Sequence, residues 1–314
     1  MTGDKEAFFN TEKAITYRDI YNWAIKRLDN SYEARLIVEE VMQGVFTEEE
    51  ELGKRYGVKY FLYSDRYVDT IAANKIEQMV TRRAQKEPLQ HILGHYGFRY
   101  LDIKTDRRAL VPRPETEILV EAALAELRNM AGDAGGNRKS EVIPHLTLLD
   151  IGTGSGVIGC SIAAECDDVD VVCLDISAEA LDLAKENTGT LREEARNRVS
   201  LLRGNLADAI KDKTVDIICS NPPYLAVSEL STLDEEVRCY DPISALVGGQ
   251  DGFEIIDQII SLAPELLKPG GSLVLEMAPR QARNAVSLAK SAGAHDISVI
   301  KDLAGRDRVL LARW

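Results

Sequence analysis

From Leu146 onward the chain repeats one unit, a short and nearly unbroken apolar run followed by a stretch of helical periodicity. The runs are LTLLDI (146–151), DVVCLD (170–175), VDIICS (215–220) and GSLVLEM (271–277). A strand that is apolar at successive positions has to be covered on both faces. A parallel sheet between two helix layers meets that need, whereas a sheet solvated on one side alternates instead. Helical patterns over Ala178–Asn187, Gly252–Leu267 and Arg280–Ala292 supply the layers. The end of the chain, ISVIKDLAGRDRVLLARW (297–314), reads as two strands around Ala304-Gly305. The expected fold class is therefore α/β, an open sheet closed by a terminal hairpin.

The first ninety residues read differently. Thr16 and Asp19 have capping-box spacing, and Ile20, Trp23, Ala24 and Leu28 then recur on one helix face. Ala34, Ile37, Val38, Val41 and Met42 form a second stripe, and Ala72, Ile76, Met79 and Val80 a third, ended by Pro88. These stripes predict a small all-helical domain over residues 1–92. Tyr96, Phe98, Tyr100 and Ile103 suggest a strand, with Arg107-Arg108 as an exposed turn before a second one. Residues 93–114 are thus expected to be a β-hairpin linker. Pro112 and Pro114 lead into a helix from about Glu115, where Glu115 and Glu117 suit a helix N-terminus. Residues 115–314 are expected to form the α/β domain, interrupted by a glycine-rich surface loop over Met130–Glu141. His91 and His95 stand four apart, but Gly94 and the missing third ligand argue against a metal site.

The first apolar run leads straight into Gly152-Thr153-Gly154-Ser155-Gly156, and a helix follows. Glycines permit a tight turn there and let a ligand approach the backbone. A dinucleotide fingerprint would need glycine at position 157, which is valine; the pattern is Asp-x-Gly-x-Gly-x-Gly with Asp150 at the strand end. The next run ends on Asp175, placed to accept from ribose hydroxyls. This arrangement resembles the loop of class I methyltransferases, which bind S-adenosylmethionine. That cofactor carries no pyrophosphate for a helix N-terminus to cradle, so an acid beside the loop is useful rather than repulsive.

The run VDIICS stops on Asn221-Pro222-Pro223-Tyr224. Asn-Pro is a good turn initiator and by itself says no more than that. Here it falls at the same sheet edge as Gly152 and Asp175, the edge at which open α/β folds bind ligands. Asn/Asp-Pro-Pro-Tyr/Phe at this position resembles methyltransferases that alkylate planar nitrogens: adenine N6, cytosine N4 or a glutamine amide. In all three the lone pair is delocalised. The Asn221 side-chain oxygen and the Pro222 carbonyl could hold the NH2 group, the prolines add rigidity, and Tyr224 could wall the planar group in.

The formal net charge of −13 disfavours a nonspecific nucleic-acid binder, which needs basic surface to displace counterions. No apolar run is long enough for a membrane span. The acidic start MTGDKEAFFN lacks the layout of an export signal, and Cys160, Cys166, Cys173, Cys219 and Cys239 show no paired spacing. A cytoplasmic protein of a reducing compartment is expected.

Taken together, EPLQHILGHYGF (87–98), LVPRPETEILVE (110–121), LDIGTGSGVIG (149–159), NPPY (221–224), DPISALVGGQDG (241–252), LVLEM (273–277) and DLAGRDRV (302–309) resemble the protein-(glutamine-N5) methyltransferases that act on peptide chain release factors. The resemblance implies a Rossmann-like class I methyltransferase domain, with the N-terminal helices helping to dock the substrate. It implies S-adenosylmethionine as methyl donor, S-adenosylhomocysteine as product and no metal. The acceptor would be the glutamine of the release factor's Gly-Gly-Gln loop, with no direct nucleic-acid or membrane partner. Transferred residue by residue, it assigns the cofactor to Asp150, Gly152, Thr153, Gly154, Ser155, Gly156, Asp175, Asn205, Leu206 and Asn221. It assigns catalysis to Asn221, Pro222 and Tyr224, and substrate contact to Asn221, Pro222, Pro223 and Tyr224. Relatives often carry Gly-Asp where this chain has Gly204-Asn205, and Glu-Pro where it has Asp241-Pro242. A ribosomal-protein glutamine, a nucleic-acid adenine and a non-catalytic cofactor-binding module are the alternative readings.

Overall fold

The computed structural model describes residues 14–42, 65–132 and 145–314. Most of the glycine-rich stretch expected as a surface loop lies outside them. The chain divides into two compact units, Met1–Leu93 and Gly94–Trp314.

In the first unit the helices Tyr17–Leu28, Ser31–Met42 and Thr70–Ala84 carry the three apolar stripes. Ile20, Ala24, Ile37, Val38, Ile76 and Val80 are fully buried in one shared core. The capping box forms as its spacing implies: Asp19 N–H donates to Thr16 Oγ1 at 3.2 Å, and Thr16 N–H to Asp19 Oδ2 at 3.1 Å. Arg83 forks onto both oxygens of Glu33 at 2.7 and 2.8 Å, tying the third helix to the second.

The second unit opens with a hairpin of β1 (His95–Phe98) and β2 (Leu101–Lys104). The hairpin turns at Arg99-Tyr100; Arg107-Arg108 is a turn as expected, but residues 105–113 form no second strand after it. Arg99 adopts left-handed φ 49° and is anchored on Glu165 at 2.6 Å and Glu121 at 3.0 Å, contacts to distant residues that strand periodicity does not reveal. Phe98 and Ile103 are buried in the core of this unit.

The main sheet contains β3 (Leu146–Ile151), β4 (Val169–Asp175), β5 (Val199–Arg203), β6 (Val215–Ser220), β7 (Leu267–Glu276), β8 (Asp296–Lys301) and β9 (Asp307–Arg313). Their order across it is β5-β4-β3-β6-β7-β9-β8, with β9 antiparallel to β7 and to β8 and the rest parallel. Both faces are covered. Leu148, Ile217 and Val274 face one core, with helices Thr116–Met130 and Val157–Glu165. Their chain neighbours Leu149, Ile218 and Leu273 face the other, with helices Glu254–Leu266 and Ala282–Ser291. That two-sided burial is why the runs are apolar at consecutive positions.

The chain builds β3, β4 and β5 outward in one direction, then returns to add β6 on the other side of β3. The carboxyl ends of β4, β3 and β6 therefore lie side by side at the point where the strand order reverses, the crevice in which such sheets bind ligands.

Candidate active site

At that crevice Ile151, the last residue of β3, pairs with Ser220, the last of β6. Gly152 and Asn221 consequently leave the sheet from adjacent positions. Ser220 Oγ donates to the Ile151 carbonyl at 2.7 Å and fixes the two exits together.

The glycine loop earns its composition through φ. Gly152, Gly154 and Gly156 adopt φ of 71°, 57° and 80°, a region in which a side chain is strained. The loop is held from both sides. Gly152 and Thr153 N–H groups donate to the Leu174 carbonyl at 2.8 and 3.0 Å, and Gly154 N–H donates to Asp175 Oδ2 at 2.9 Å. Asn187, fully buried in helix Ala178–Gly189, donates to the Ser155 carbonyl at 2.8 Å and to the Lys104 carbonyl at 3.1 Å, and accepts from Lys104 N–H at 2.8 Å. Gly159 is a packing glycine: a Cβ there would stand 2.2 Å from Cys173 Sγ of β4.

A cavity of about 490 Å³ opens over this edge. Gly152, Thr153, Gly154, Ser155, Asp175, Asn205, Leu206, Asn221, Pro222 and Pro223 all line it, so most of the residues singled out in the sequence converge on one space. Asp150 and Gly156 do not form its wall. Asp150 lies fully buried beneath the loop, accepting from Thr153 Oγ1 at 2.5 Å and Gly159 N–H at 3.2 Å. Burial pushes its carboxyl up to about 7 against the pull of those two donors. Ile176, an exposed apolar residue directly after Asp175, joins the rim.

A second cavity, of about 290 Å³, adjoins the first. Asn221 and Pro222 line both, while Tyr224 lines only the second, packed against the sheet core. Burial raises the Tyr224 phenol above its ordinary value, which keeps the ring neutral. The walls of this cavity include Arg113, Glu115, Glu276, Arg306 and Arg308.

Behind Asn-Pro-Pro-Tyr stands a frame that sequence reasoning did not assign. The Leu225 N–H donates to the Leu246 carbonyl and the Gly248 N–H to the Leu225 carbonyl, both at 3.0 Å. Gln281 Nε2 donates to the carbonyls of Tyr224 at 3.0 Å and Gly252 at 2.7 Å. A Cβ at Gly248 would stand 2.2 Å from the Pro223 carbonyl oxygen, so the motif is seated on backbone rather than on side chains. Asn221 Nδ2 donates to Thr116 Oγ1 at 3.0 Å, and Thr116 donates to Glu276 Oε2 at 2.8 Å. Arg113 Nη2 donates to Asp241 at 3.1 Å, and burial holds the Asp241 carboxyl up at about 6 despite that neighbour. Thr116, Arg113, Asp241, Leu246, Gly248, Gly252 and Glu276 fall in the stretches 110–121, 241–252 and 273–277, with Gln281 outside them; their separation along the chain hid the contacts.

The cavity suits S-adenosylmethionine in its donor set. Asp175 uses both oxygens on backbone, Oδ2 on Gly154 and Oδ1 on Ser177 N–H at 2.9 Å, and each carboxylate oxygen keeps a lone pair for a ribose hydroxyl. The glycine loop brings backbone to the cavity wall without side-chain bulk. Among the described residues no group of three or more His, Cys, Asp or Glu side chains could hold a metal ion.

An open α/β sheet with a glycine loop after β3, an acid after β4 and Asn-Pro-Pro-Tyr after β6 defines a class I methyltransferase domain. The catalytic domain of hMettl16, solved in complex with the MAT2A 3′UTR hairpin 6, shares this fold at TM-score 0.50 and 14% identity, over 80% of this chain and 84% of that one. Family models for a methyltransferase small domain and for a PrmC N-terminal domain match residues 139–235 and 19–94. Release factor glutamine methyltransferase from Rhodopirellula baltica is 40% identical over 74% of this chain and 76% of its own length. Its counterpart from Clostridium acetobutylicum is 33% identical over 92% and 98%. The chain belongs to the release factor glutamine methyltransferase family.

Proposed function

We propose that the chain transfers a methyl group from S-adenosylmethionine to the side-chain amide nitrogen of the glutamine in the Gly-Gly-Gln loop of a peptide chain release factor. One observation carries the assignment of roles. Asn221 Oδ1 and the Pro222 carbonyl accept no hydrogen bond from any described residue, and both residues line the two adjoining cavities. A pair of unspent acceptors at such a junction matches the two donors of a primary amide.

When bound, the cofactor supplies an electrophilic methyl on a sulfonium. Asp175 and the backbone of Gly152–Ser155 are the groups to hold it, with Asn205 and Leu206 at its far end. The remaining chemistry is positional. Asn221 and Pro222 draw both amide N–H bonds toward themselves, which favours a pyramidal nitrogen and turns its lone pair toward the first cavity. Pro222 and Pro223 have no N–H to compete for the acceptors. Tyr224 bounds the flat face of the amide in the second cavity. Such alignment is able to lower a barrier by about 7 kcal/mol. No side chain has to remove a proton before attack.

Residues 1–92 are the segment we assign to docking the release factor, and 115–314 to catalysis. Among the described residues no helix is long and apolar enough to cross a membrane. The test is transfer of labelled methyl to a release factor, to ribosomal proteins and to DNA, presented separately. Labelling of the release factor is expected; labelling confined to either of the others would displace this reading.

A further inference from the structure

We infer that Thr116, held by Glu276, decides which end of the Asn221 amide faces the acceptor, and is therefore a positioning residue for the reaction. The inference rests on the reading that Asn221 holds the acceptor amide.

Glu276 closes β7 and is 1% exposed; Thr116 opens the helix Thr116–Met130 and is 2% exposed. Their contact joins residues 160 apart in the chain, and Asn221 is 105 residues beyond Thr116. An ionised carboxylate only accepts hydrogen bonds, and a hydroxyl has a single proton. While Glu276 is ionised, Thr116 gives that proton to Glu276 Oε2 at 2.8 Å, so its oxygen can only accept from the Asn221 group 3.0 Å away. That group has to be NH2, and the Asn221 carbonyl is turned to the cavity.

The two ends of an asparagine amide are nearly alike in size, so packing alone does not choose between them. The choice matters because the acceptor is itself an NH2 group. A reversed Asn221 would meet it donor against donor and could not hold it. The direction is thus set two residues away from the substrate, by a carboxylate that accepts at one end of a three-member chain.

A merely structural pair would not need this carboxylate. A buried ionised group is costly unless it is compensated, and no ion pair joins Glu276 to any described residue. A neutral side chain of similar size would fill the place at less cost in stability.

The test uses the full chain, a release factor as acceptor, steady-state rates against both substrates, and calorimetric titration with S-adenosylhomocysteine. In Thr116→Val the shape is kept and the relay is cut. Its kcat is expected to fall at least tenfold, with KM for the release factor and the affinity for S-adenosylhomocysteine within threefold of wild type. Thr116→Ser restores the hydroxyl and is expected to return kcat to within threefold. Should Thr116→Val not fold, Glu276→Gln takes its place. A neutral amide can accept from or donate to Thr116, so the direction is no longer enforced, and a kcat at least fivefold lower with the same unchanged affinities is expected. A folded Thr116→Val, or in its place Glu276→Gln, with kcat within twofold of wild type overturns the inference. So does a Thr116→Ser as impaired as Thr116→Val. A wild-type chain that labels no release factor overturns the functional reading, and this inference with it; an active wild type with an unaffected variant overturns the inference alone.

Discussion

The backbone N–H of Gly154 donates to Asp175 Oδ2 at 2.9 Å, so the acid at the end of β4 holds the glycine loop that follows β3. Asp175 also accepts from Ser177 N–H. Two donors facing one carboxylate make Asp175→Asn a severe change, because the amide must turn an N–H toward one of them. Cofactor affinity is expected to drop by at least tenfold in Asp175→Asn and further in Asp175→Ala. At saturating cofactor, kcat should stay within a few-fold of wild type, since neither change touches Asn221. Calorimetry and saturation kinetics check the two halves separately.

Asn187 ties the loop to the hairpin through three hydrogen bonds, to Ser155 and to both backbone groups of Lys104. Asn187→Leu keeps the volume and leaves those backbone groups unpaired. At about 1 kcal/mol each, the expected loss of stability is about 3 kcal/mol. Denaturant titration measures it, and unchanged stability would mean that the hairpin is held by its other contacts, such as Arg99 on Glu165.

Glu276 is raised to about 7, first by burial and further by Glu115, while Thr116, Arg308 and Arg113 pull it down. Tyr224, neutral in this range, also lies near it. Only the ionised form forces Thr116 to donate, so activity belongs to the high-pH side and is lost as pH falls through the carboxyl's pKa. A sulfonium brought into the adjoining cavity lowers that pKa, so kcat is expected to show an acid limb at or below about 7. In Glu276→Gln that limb should vanish. A limb that survives the substitution belongs to another group.

The same raised pKa has a consequence for stability. Its value in the folded protein lies above the unfolded one, so the folded state binds the proton more tightly between about 4.5 and 7. The contribution of Glu276 to stability is complete below that window and declines as pH rises through it. Glu276→Gln should therefore be relatively more stable than wild type at pH 8 than at pH 5, as denaturant titration at the two pH values would show.

Gly248 lies where a Cβ would stand 2.2 Å from the Pro223 carbonyl oxygen and 2.9 Å from that of Gly252. Gly248→Ala must push the Asn-Pro-Pro-Tyr backbone out of place. Because alignment supplies so much of the proposed catalysis, kcat is expected to fall about a hundredfold. Affinity for S-adenosylhomocysteine should change far less, Asp175 and the loop being untouched.

What the sequence discloses depends on distance along the chain. Consecutive apolar residues such as Leu148 and Leu149 announce a sheet covered twice, and the glycines at 152, 154 and 156 announce backbone that turns with positive φ. The edge strand β5 has no fully buried residue and escaped notice among the apolar runs. The hairpin turn escaped as well, because Arg99 is fixed by Glu165, 66 residues away. Asn221 was legible from its motif, but its partners were not: nothing local to Thr116 or Glu276 says that they meet. Asp150 shows the converse, a motif residue that the fold sets beneath the loop and away from the cavity wall.

Peptide mass spectrometry of a release factor incubated with S-adenosylmethionine and either the wild-type chain or Asn221→Ala decides whether the glutamine amide is the acceptor and Asn221 its holder. One added methyl on the glutamine of the Gly-Gly-Gln loop is expected with wild type, and almost none with Asn221→Ala, although that variant keeps most of its cofactor affinity. A methyl on another residue, or equal methylation by Asn221→Ala, would contradict that assignment.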